Sequence, residues 1–501
     1  MTVISPTQAR SRDLRGWLDL IERQGQLARI TAAVDPIEEL SAITFMASRK
    51  PGSPAFLFEN LTGDRIGSRV LTNMLAASKE RYALAVGLDP TLETREMVAE
   101  TRRISSRRLP PVMVPASAAP VREITLSGDE IDLTAFPVPK FWPGDGGQFL
   151  GTGNVTFIRN PDTGVINAGV YRQMLQGPRS VGLNMVPGRH GERNVQAWWR
   201  RGKPAPVVTA YGVDPALFIA ATQAFAHEES EIDVAGGLAG MPVEMTAADL
   251  SDLPLPANAE IVVEGFVHEG DMAEEGPLGE FHGYYSGKRD LRPVIRAERV
   301  HYRPRPILTG ALMATWPSCE IGEYHAIMRS ARVWDNLQAM GVPGIAGVYV
   351  YPASASAAGV MVVSLKQMFP GHVAQVLALA AQCPAAAYVI RWIIAVDDDI
   401  NPSNFGEVMW AMSVHSNPVE DIDILRHTYS YRTDPSLHPS ERPYGSKALI
   451  DACLPLRHGG QRPRRARLSR TTYDRVSSRW ADFGLTGQPA TLTHFHEDDD
   501  R

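Results

Sequence analysis

Apolar residues recur at helical spacing from the start of the chain. Leu14, Trp17, Leu18, Leu20 and Ile21, with Gly25 and Leu27 after them, predict an amphipathic helix over 13–31. Residues 35–46 predict a second, acidic helix, with Asp35 as N-cap and Pro36 in its first turn. Residues 54–60 are apolar and strand-like, and the proline-rich stretch 109–111 marks a boundary. Beyond it the texture changes to short strands and turns. Residues 154–159 and 165–172 flank Asn-Pro-Asp-Thr-Gly at 160–164, a hairpin signature, and 260–267 is a further strand. Asp214-Pro215 opens a short helix ending near Phe225.

From 306 the pattern alternates between strands and helices. Residues 347–351 read as a strand and 370–382 as a helix stopped before Pro384. A buried strand follows at 388–396, then Asp397, Asp398 and Asp399, then a helix over 404–413. A tail from 456 begins basic, holds one helix near 471–483 and ends acidic. The expectation is therefore a multidomain α+β and α/β protein. It has a mixed N-terminal domain at 1–115, a strand-rich barrel or sandwich at 116–305, an α/β domain at 306–455 and a tail at 456–501. No internal repeat is present.

Composition narrows the function. Apolar residues make up 44% and charged residues 21%, as in soluble globular proteins. A net charge of -6 provides no basic surface for nucleic acid. The best membrane candidate, 388–396, has only strand length and contains Arg391. The first 17 residues lack a signal-peptide core. Cys319, Cys383 and Cys453 have neither metal nor disulfide spacing, so a reducing compartment, the cytoplasm, is expected.

Candidate chemistry centres on residues 274–285, Glu-Glu-Gly-Pro-Leu-Gly-Glu-Phe-His-Gly-Tyr-Tyr. No helix runs through Gly-Pro-Leu-Gly, so Glu275 and Glu280 sit on a bend that can bring both carboxylates to one place. Alone, the segment reads first as a solvated acidic turn. Arg172 ends the second hairpin strand and can fork onto a carboxylate. Asn167, His190 and Glu231 offer oxygen and imidazole ligands for Mn²⁺ or Mg²⁺. Asn167 and Arg172 are an odd number of residues apart, which a regular strand would point to opposite faces. A bulge at Ala168-Gly169 would resolve this. The glycine clusters at 151–153 and 236–240 lack the dinucleotide fingerprint. Asp397–Asp399 reads as a solvated strand end, and His282 as a structural histidine that can also shape the site.

Taken together in their order and spacing, these segments resemble the UbiD-like family of reversible decarboxylases that use prenylated FMN. The resemblance runs from Asp13 to about Cys453. It includes 186–190 (Val-Pro-Gly-Arg-His), Glu231 with 234–240, 275–284 and 396–402. It implies a split β-barrel flavin domain in the centre and a C-terminal domain that makes a homodimer or higher homo-oligomer. It implies catalytic roles for Arg172, Glu275 and Glu280. It also implies a divalent ion on Asn167, His190 and Glu231, bridging the flavin phosphate, and K⁺ on Ala168, Ala220, Ala221, Gln223 and Glu231. Cofactor contacts would run through Asn167 to Arg172 (Ala168, Gly169, Val170 and Tyr171 between them), and through Arg189, His190, Gln223, Glu231 and Arg391. Arg391 stands where the family has a lysine.

The reaction implied is loss of CO₂ from an aromatic, heteroaromatic or α,β-unsaturated acid through a covalent substrate–flavin adduct, with Glu280 supplying the replacing proton. Arg172 would orient the carboxylate, with Glu275 holding the arginine. Substrate walls are expected at Leu183, Met185, Gln223, Phe225 and Phe281. The implied partners are a small carboxylic acid, CO₂ and a flavin prenyltransferase that supplies the cofactor. Two other readings stand beside it: a flavin-dependent oxidoreductase on the same barrel, and a cofactor-free assembly subunit.

Overall fold

The structure, a computed structural model, describes residues 13–223, 225, 229–456, 465–492 and 494–496. The signal-peptide reading of the first residues, much of the basic run near 462 and the acidic end at 497–501 lie outside these. The first helix, Leu14–Arg23, buries its whole apolar stripe. It is shorter than its periodicity suggests, because Gly25 takes φ 69° and turns the chain out. Leu27 then belongs to a strand, Leu27–Ile30, paired in parallel with Ala55–Phe58. Asp35 does not cap the next helix. Its carboxylate accepts from Ile37 N at 2.8 Å in a local turn, and the helix begins later, at Glu39–Ala47. Arg69–Thr72 and Ile307–Thr309 complete a four-stranded sheet.

The centre is a nine-stranded sheet. Its path runs Phe149–Gly151, Gln173–Gly177, Ser180–Gly182, Asp290–Tyr302, Ile261–Glu275, Ala205–Tyr211, Asn154–Arg159 and Ile166–Gly169, with Ile124–Ser127 added on Asp290–Tyr302. Two links fix its shape. Ile166–Gly169 and Gln173–Gly177 lie near opposite ends of the path, yet only Val170, Tyr171 and Arg172 separate them. A flat sheet would set these strands about 30 Å apart at the usual strand spacing, whereas such a link reaches only about 14 Å. Phe149–Gly151 and Asn154–Arg159 repeat the argument across two residues. The sheet therefore curls into a half-barrel. Inside the curl, the Gln173 amide donates to Thr156 Oγ1 at 3.2 Å and accepts from Tyr211 OH at 2.5 Å.

Two helices lie against this sheet. Asp214 caps Pro215–Ala221 by accepting from Ala216 N at 2.8 Å. Glu231–Ala239 carries the second glycine cluster, where Gly236 and Gly237 face the backbone at Leu109 and Arg107 so closely that a Cβ would collide. This cluster thus permits helix packing, not a phosphate loop.

The C-terminal part is a five-stranded sheet ordered Ile345–Val350, Val360–Leu365, Trp392–Asp397, Tyr444–Ala452, Ile422–Tyr429. The third strand starts four residues later than its apolar run, after a turn that follows Pro384. Asp397 is buried and accepts from Gln367 Nε2 and Leu454 N, both at 2.8 Å, so it is a structural acid and not a solvated end. Glu320 accepts from Met74 N at 3.0 Å and Leu75 N at 2.6 Å. This anchors the start of helix Gly322–Ala339 to the N-terminal part. The tail helix divides into Arg470–Ser477 and a 3₁₀ turn, Trp480–Phe483, with Ser477 and Ser478, poor helix formers, at the break. Among the described residues no helix is long and apolar enough to cross a membrane.

Candidate active site

Strand Ile261–Glu275 delivers Glu275 at its last position, and Gly276, at φ 81°, turns the chain before Pro277. The bend that follows is pinned. Asp145 accepts from Gly279 N at 2.9 Å and from Trp142 N at 2.8 Å, and Ser286 N donates to Leu278 O at 2.9 Å. Arg172 enters from the three-residue link that closes the curled sheet. Its Nε and Nη2 donate to the two oxygens of Glu275 at 2.7 and 2.8 Å, a bidentate fork, and its Nη1 donates to Glu280 Oε1 at 3.1 Å. Asn184 Nδ2 adds a bond to Glu275 at 2.9 Å. One guanidinium therefore joins both acids of the bend.

The two acids are not equivalent. Glu275 accepts three of these bonds, two from Arg172 and one from Asn184, whereas Glu280 accepts one from Arg172. Burial pushes the Glu280 carboxyl above its ordinary range, with the negative Glu275 nearby adding to the shift and Arg172 opposing it.

The parity conflict between Asn167 and Arg172 is absent, but not through a bulge. Pairing of Ala168 and Gly169 with Phe157 and Thr156 is regular, and the chain leaves the sheet at Val170. Asn167 thus points from the strand while Arg172 is set by the link. Asn167 Nδ2 donates to Glu231 Oε1 at 3.0 Å, and Ala168 N donates to Glu231 Oε2 at 3.1 Å. Tyr171 OH donates to Asn167 Oδ1 at 2.5 Å. His190 is the first residue of helix His190–Trp199, and Glu231 the first of Glu231–Ala239. Burial raises the Glu231 carboxyl, partly offset by the Ala168 amide.

Asn167, His190 and Glu231 all border one cavity of about 370 Å³, together with Gly169, Val170 and Tyr171. Arg189, Ala221, Gln223, Phe225 and Phe281 also line it. Arg189 stacks on Tyr388, with its guanidinium carbon 4.6 Å from the ring centre. Ala168 and Ala220 are buried beside the cavity, and the Ala220 carbonyl accepts from Gln223 N at 3.0 Å.

Other residues fall elsewhere. Leu183 and Met185, expected on a substrate wall, pack in the core beneath the sheet with Val181 and Ile295. Arg391 is not among the residues that line the cavity. It pairs with Asp434 and donates to Ser436 Oγ at 2.9 Å and Ser430 Oγ at 3.1 Å. His282 stacks on Tyr431 and meets Thr433 Oγ1 at 3.0 Å. Burial lowers its pKa to about 4. A separate group, Asp249, Glu264 and His301, is occupied by its own bonds: Glu264 accepts from Asp249 N and Leu250 N, and Arg122 holds Asp249. Sequence reasoning missed Asn184 and the cavity-lining His325, Arg329 and Arg332. The last three had a signal, polar residues at i, i+4 and i+7 within an otherwise apolar helix pattern.

Two acids on one arginine, near a cavity lined by a candidate ion-binding set, make a candidate acid–base site on a curled-sheet scaffold. The chain belongs to the UbiD family of carboxy-lyases. Three family models match it: the 3-octaprenyl-4-hydroxybenzoate carboxy-lyase N-terminal domain at 18–101, the Rift-related domain at 112–316 and the C-terminal domain at 324–452. Among solved structures, it is similar to the UbiD-class enzyme HmfF from Pelotomaculum thermopropionicum in complex with FMN. The identity is 28% and the TM-score 0.81, covering 94% of this chain and 100% of that one. It is also similar to the closed form of vanillic acid decarboxylase from Sedimentibacter hydroxybenzoicus, at 26% identity and TM-score 0.84 over 95% and 99% of the two chains. The apo 3,4-dihydroxybenzoic acid decarboxylase from Enterobacter cloacae matches at 25% identity and TM-score 0.79 over 93% and 99%.

Proposed function

We propose that the protein is a non-oxidative decarboxylase of aromatic or heteroaromatic acids that uses prenylated FMN in the cavity. The observation that carries this is the single Arg172 guanidinium joining Glu275 and Glu280, whose neighbours Tyr171 and Phe281 line the cavity. The relatives' bound FMN and their aromatic acid substrates support the same reading.

The donor set fits such a cofactor. Asn167, His190 and Glu231 offer an amide oxygen, an imidazole and a carboxylate, suited to Mn²⁺ or Mg²⁺ that would tie down a phosphate. Carbonyls near Ala220 and Ala221, with Glu231, suit K⁺. When bound, the prenylated flavin supplies the electron sink that side chains lack. The chain's own residues do the rest. Arg172 orients the substrate carboxylate, and Glu275 and Asn184 fix the guanidinium in place. Glu280 Oε delivers a proton to the carbon that CO₂ leaves. Its raised pKa keeps that proton on the acid at higher pH than a solvated carboxyl would allow. We read the curled sheet as the split-barrel flavin domain, with divisions near 115, 305 and 455 supported by the limits of the family matches.

The test is co-production with a flavin prenyltransferase, followed by the absorbance spectrum and CO₂ release from a panel of aromatic acids. A flavin spectrum with CO₂ release is expected. Flavin redox turnover without CO₂ would replace the reading with an oxidoreductase, and protein that takes up no flavin would indicate an assembly subunit.

A homodimer through the C-terminal part is the proposed assembly. Strand Ile422–Tyr429 is an edge strand whose Ile422, Ile424 and Tyr429 are exposed, and helix Phe405–His415, which packs on the adjoining strand Tyr444–Ala452, exposes Phe405, Met409 and Trp410. Light scattering of Ile424→Asp should show monomer where the unaltered protein shows dimer; an unchanged mass would place the interface elsewhere. The three buried free cysteines suit the reducing cytoplasm, which cell fractionation checks.

A further inference from the structure

One wall of the cavity carries positive charge that the reaction above does not use. His325, Arg329 and Arg332 stand at i, i+4 and i+7 on helix Gly322–Ala339, so they share one face, and all three border the cavity. Among the described residues of that lining the one carboxylate is Glu231, already held by Asn167 and Ala168. Arg329 gives one N–H to the Ala357 carbonyl, and Arg332 lies 4.3 Å over the Phe225 ring. Neither forms a salt bridge with a carboxylate among the described residues, although Glu229 and Asp335 lie near enough to attract Arg332.

Burial lowers the Arg329 pKa to about 10, with the neighbouring Arg332 adding repulsion, yet both remain cations at neutral pH. His325 is buried, its Nε2 has no partner, and burial keeps the ring neutral. Two adjacent, partly buried guanidinium groups and a buried, unpartnered imidazole make a site that favours an anion. The position of the wall says which anion. Ser356 Oγ donates to the Phe281 carbonyl at 3.2 Å, and the next residue, Ala357, accepts from Arg329. Arg329 is thereby tied to the residue that follows Glu280, on elements distinct from those bearing Asn167, His190 and Glu231.

We propose that His325, Arg329 and Arg332 bind a second carboxylate on the substrate, so that the preferred acids are aromatic or heteroaromatic dicarboxylates. This rests on the decarboxylase reading: Arg172 meets the carboxylate that leaves, and the helix holds the one that stays. The remaining carboxylate supplies the counter-charge that Arg329 lacks, and its two oxygens match the fork geometry of a guanidinium.

The test is calorimetric binding to cofactor-loaded protein in the Glu280→Gln background, where bound acid is not consumed. The probes are benzoate against isophthalate and terephthalate, and pyrrole-2-carboxylate against pyrrole-2,5-dicarboxylate. At least one diacid is expected to bind about 30-fold tighter than its monoacid, the worth of a charge-assisted bidentate contact. Arg329→Gln should remove most of that ratio, and Arg329→Lys should restore part of it. Equal affinity for every pair, or a diacid preference that survives in both Arg329→Gln and Arg332→Gln, overturns the proposal. So does loss of bound flavin in those two variants, which would assign the wall to the cofactor phosphate. CO₂ release is scored separately in the otherwise unaltered holoenzyme. A diacid preference without CO₂ release from any probe rejects the decarboxylase reading and leaves the anion site standing.

Discussion

Glu280→Gln is expected to lower CO₂ release by about a thousandfold, within the range a positioned general acid contributes, while bound flavin stays at its usual level. The glutamine keeps the shape and can still accept from Arg172 Nη1, so the ion-binding set on the far side of the link is undisturbed. What it cannot do is give up a proton to carbon. The pH profile adds an independent check. Burial raises the Glu280 carboxyl, so its protonated form persists above the ordinary carboxyl range and is lost as pH rises through the raised value. The donor form is the active one, so the protonation step should slow on the alkaline side of that value. In Glu280→Gln this limb should vanish. Normal turnover in the variant, or an alkaline limb that remains, would remove Glu280 from the role.

The second large effect is expected at Glu231 and His190. Glu231→Gln should purify with bound flavin and divalent ion both reduced by at least about tenfold, since losing even the partners that orient metal ligands costs that much affinity. Glutamine preserves a hydrogen bond to the Asn167 amide but removes the charge an ion requires. His190→Ala should lose the same two components together. Metal analysis beside the flavin spectrum decides it: normal flavin without metal, or normal amounts of both, would contradict the shared site. These variants and Glu280→Gln should separate cleanly, because one set loses the cofactor and the other only the proton.

Much of the fold was legible because burial imposes periodicity. The stripe from Leu14 to Ile21, the hairpin at 154–169 and the helix capped by Asp214 are all visible as patterns. Errors arose where one side chain overrode a pattern. Gly25 ended a helix whose apolar spacing continued, and Asp35 spent its carboxylate on a local turn. The meeting of Arg172 with Glu275 and Glu280 was harder to read. These residues are about a hundred positions apart, and only the curl of a nine-stranded sheet brings them together; the family resemblance, not periodicity, pointed there. Arg391 rests on that route alone: position assigns it to the cofactor, and the structure shows it paired with Asp434 and outside the cavity lining. His325, Arg329 and Arg332 were passed over because on a helix buried along most of its length each looked like an isolated interruption.

The link from Val170 to Arg172 is a ruler as much as a connection. It spans the two closing edges of the sheet, with Asn167 just before it and the arginine of the acid pair at its end. Its length therefore sets the distance between the place where an ion would hold the cofactor and the place where, on the proposed reading, a proton would be handed over. Lengthening it by one residue would change that distance without altering either group. The turn at 160–164, on the other end of the neighbouring hairpin, bears on the ion-binding set as well: Asn160 is buried and donates to Asn194 on the helix that His190 begins, and Asp162 pairs with Arg201 just beyond it. Both connections are thus dimensions of the site, one along the sheet and one through a helix.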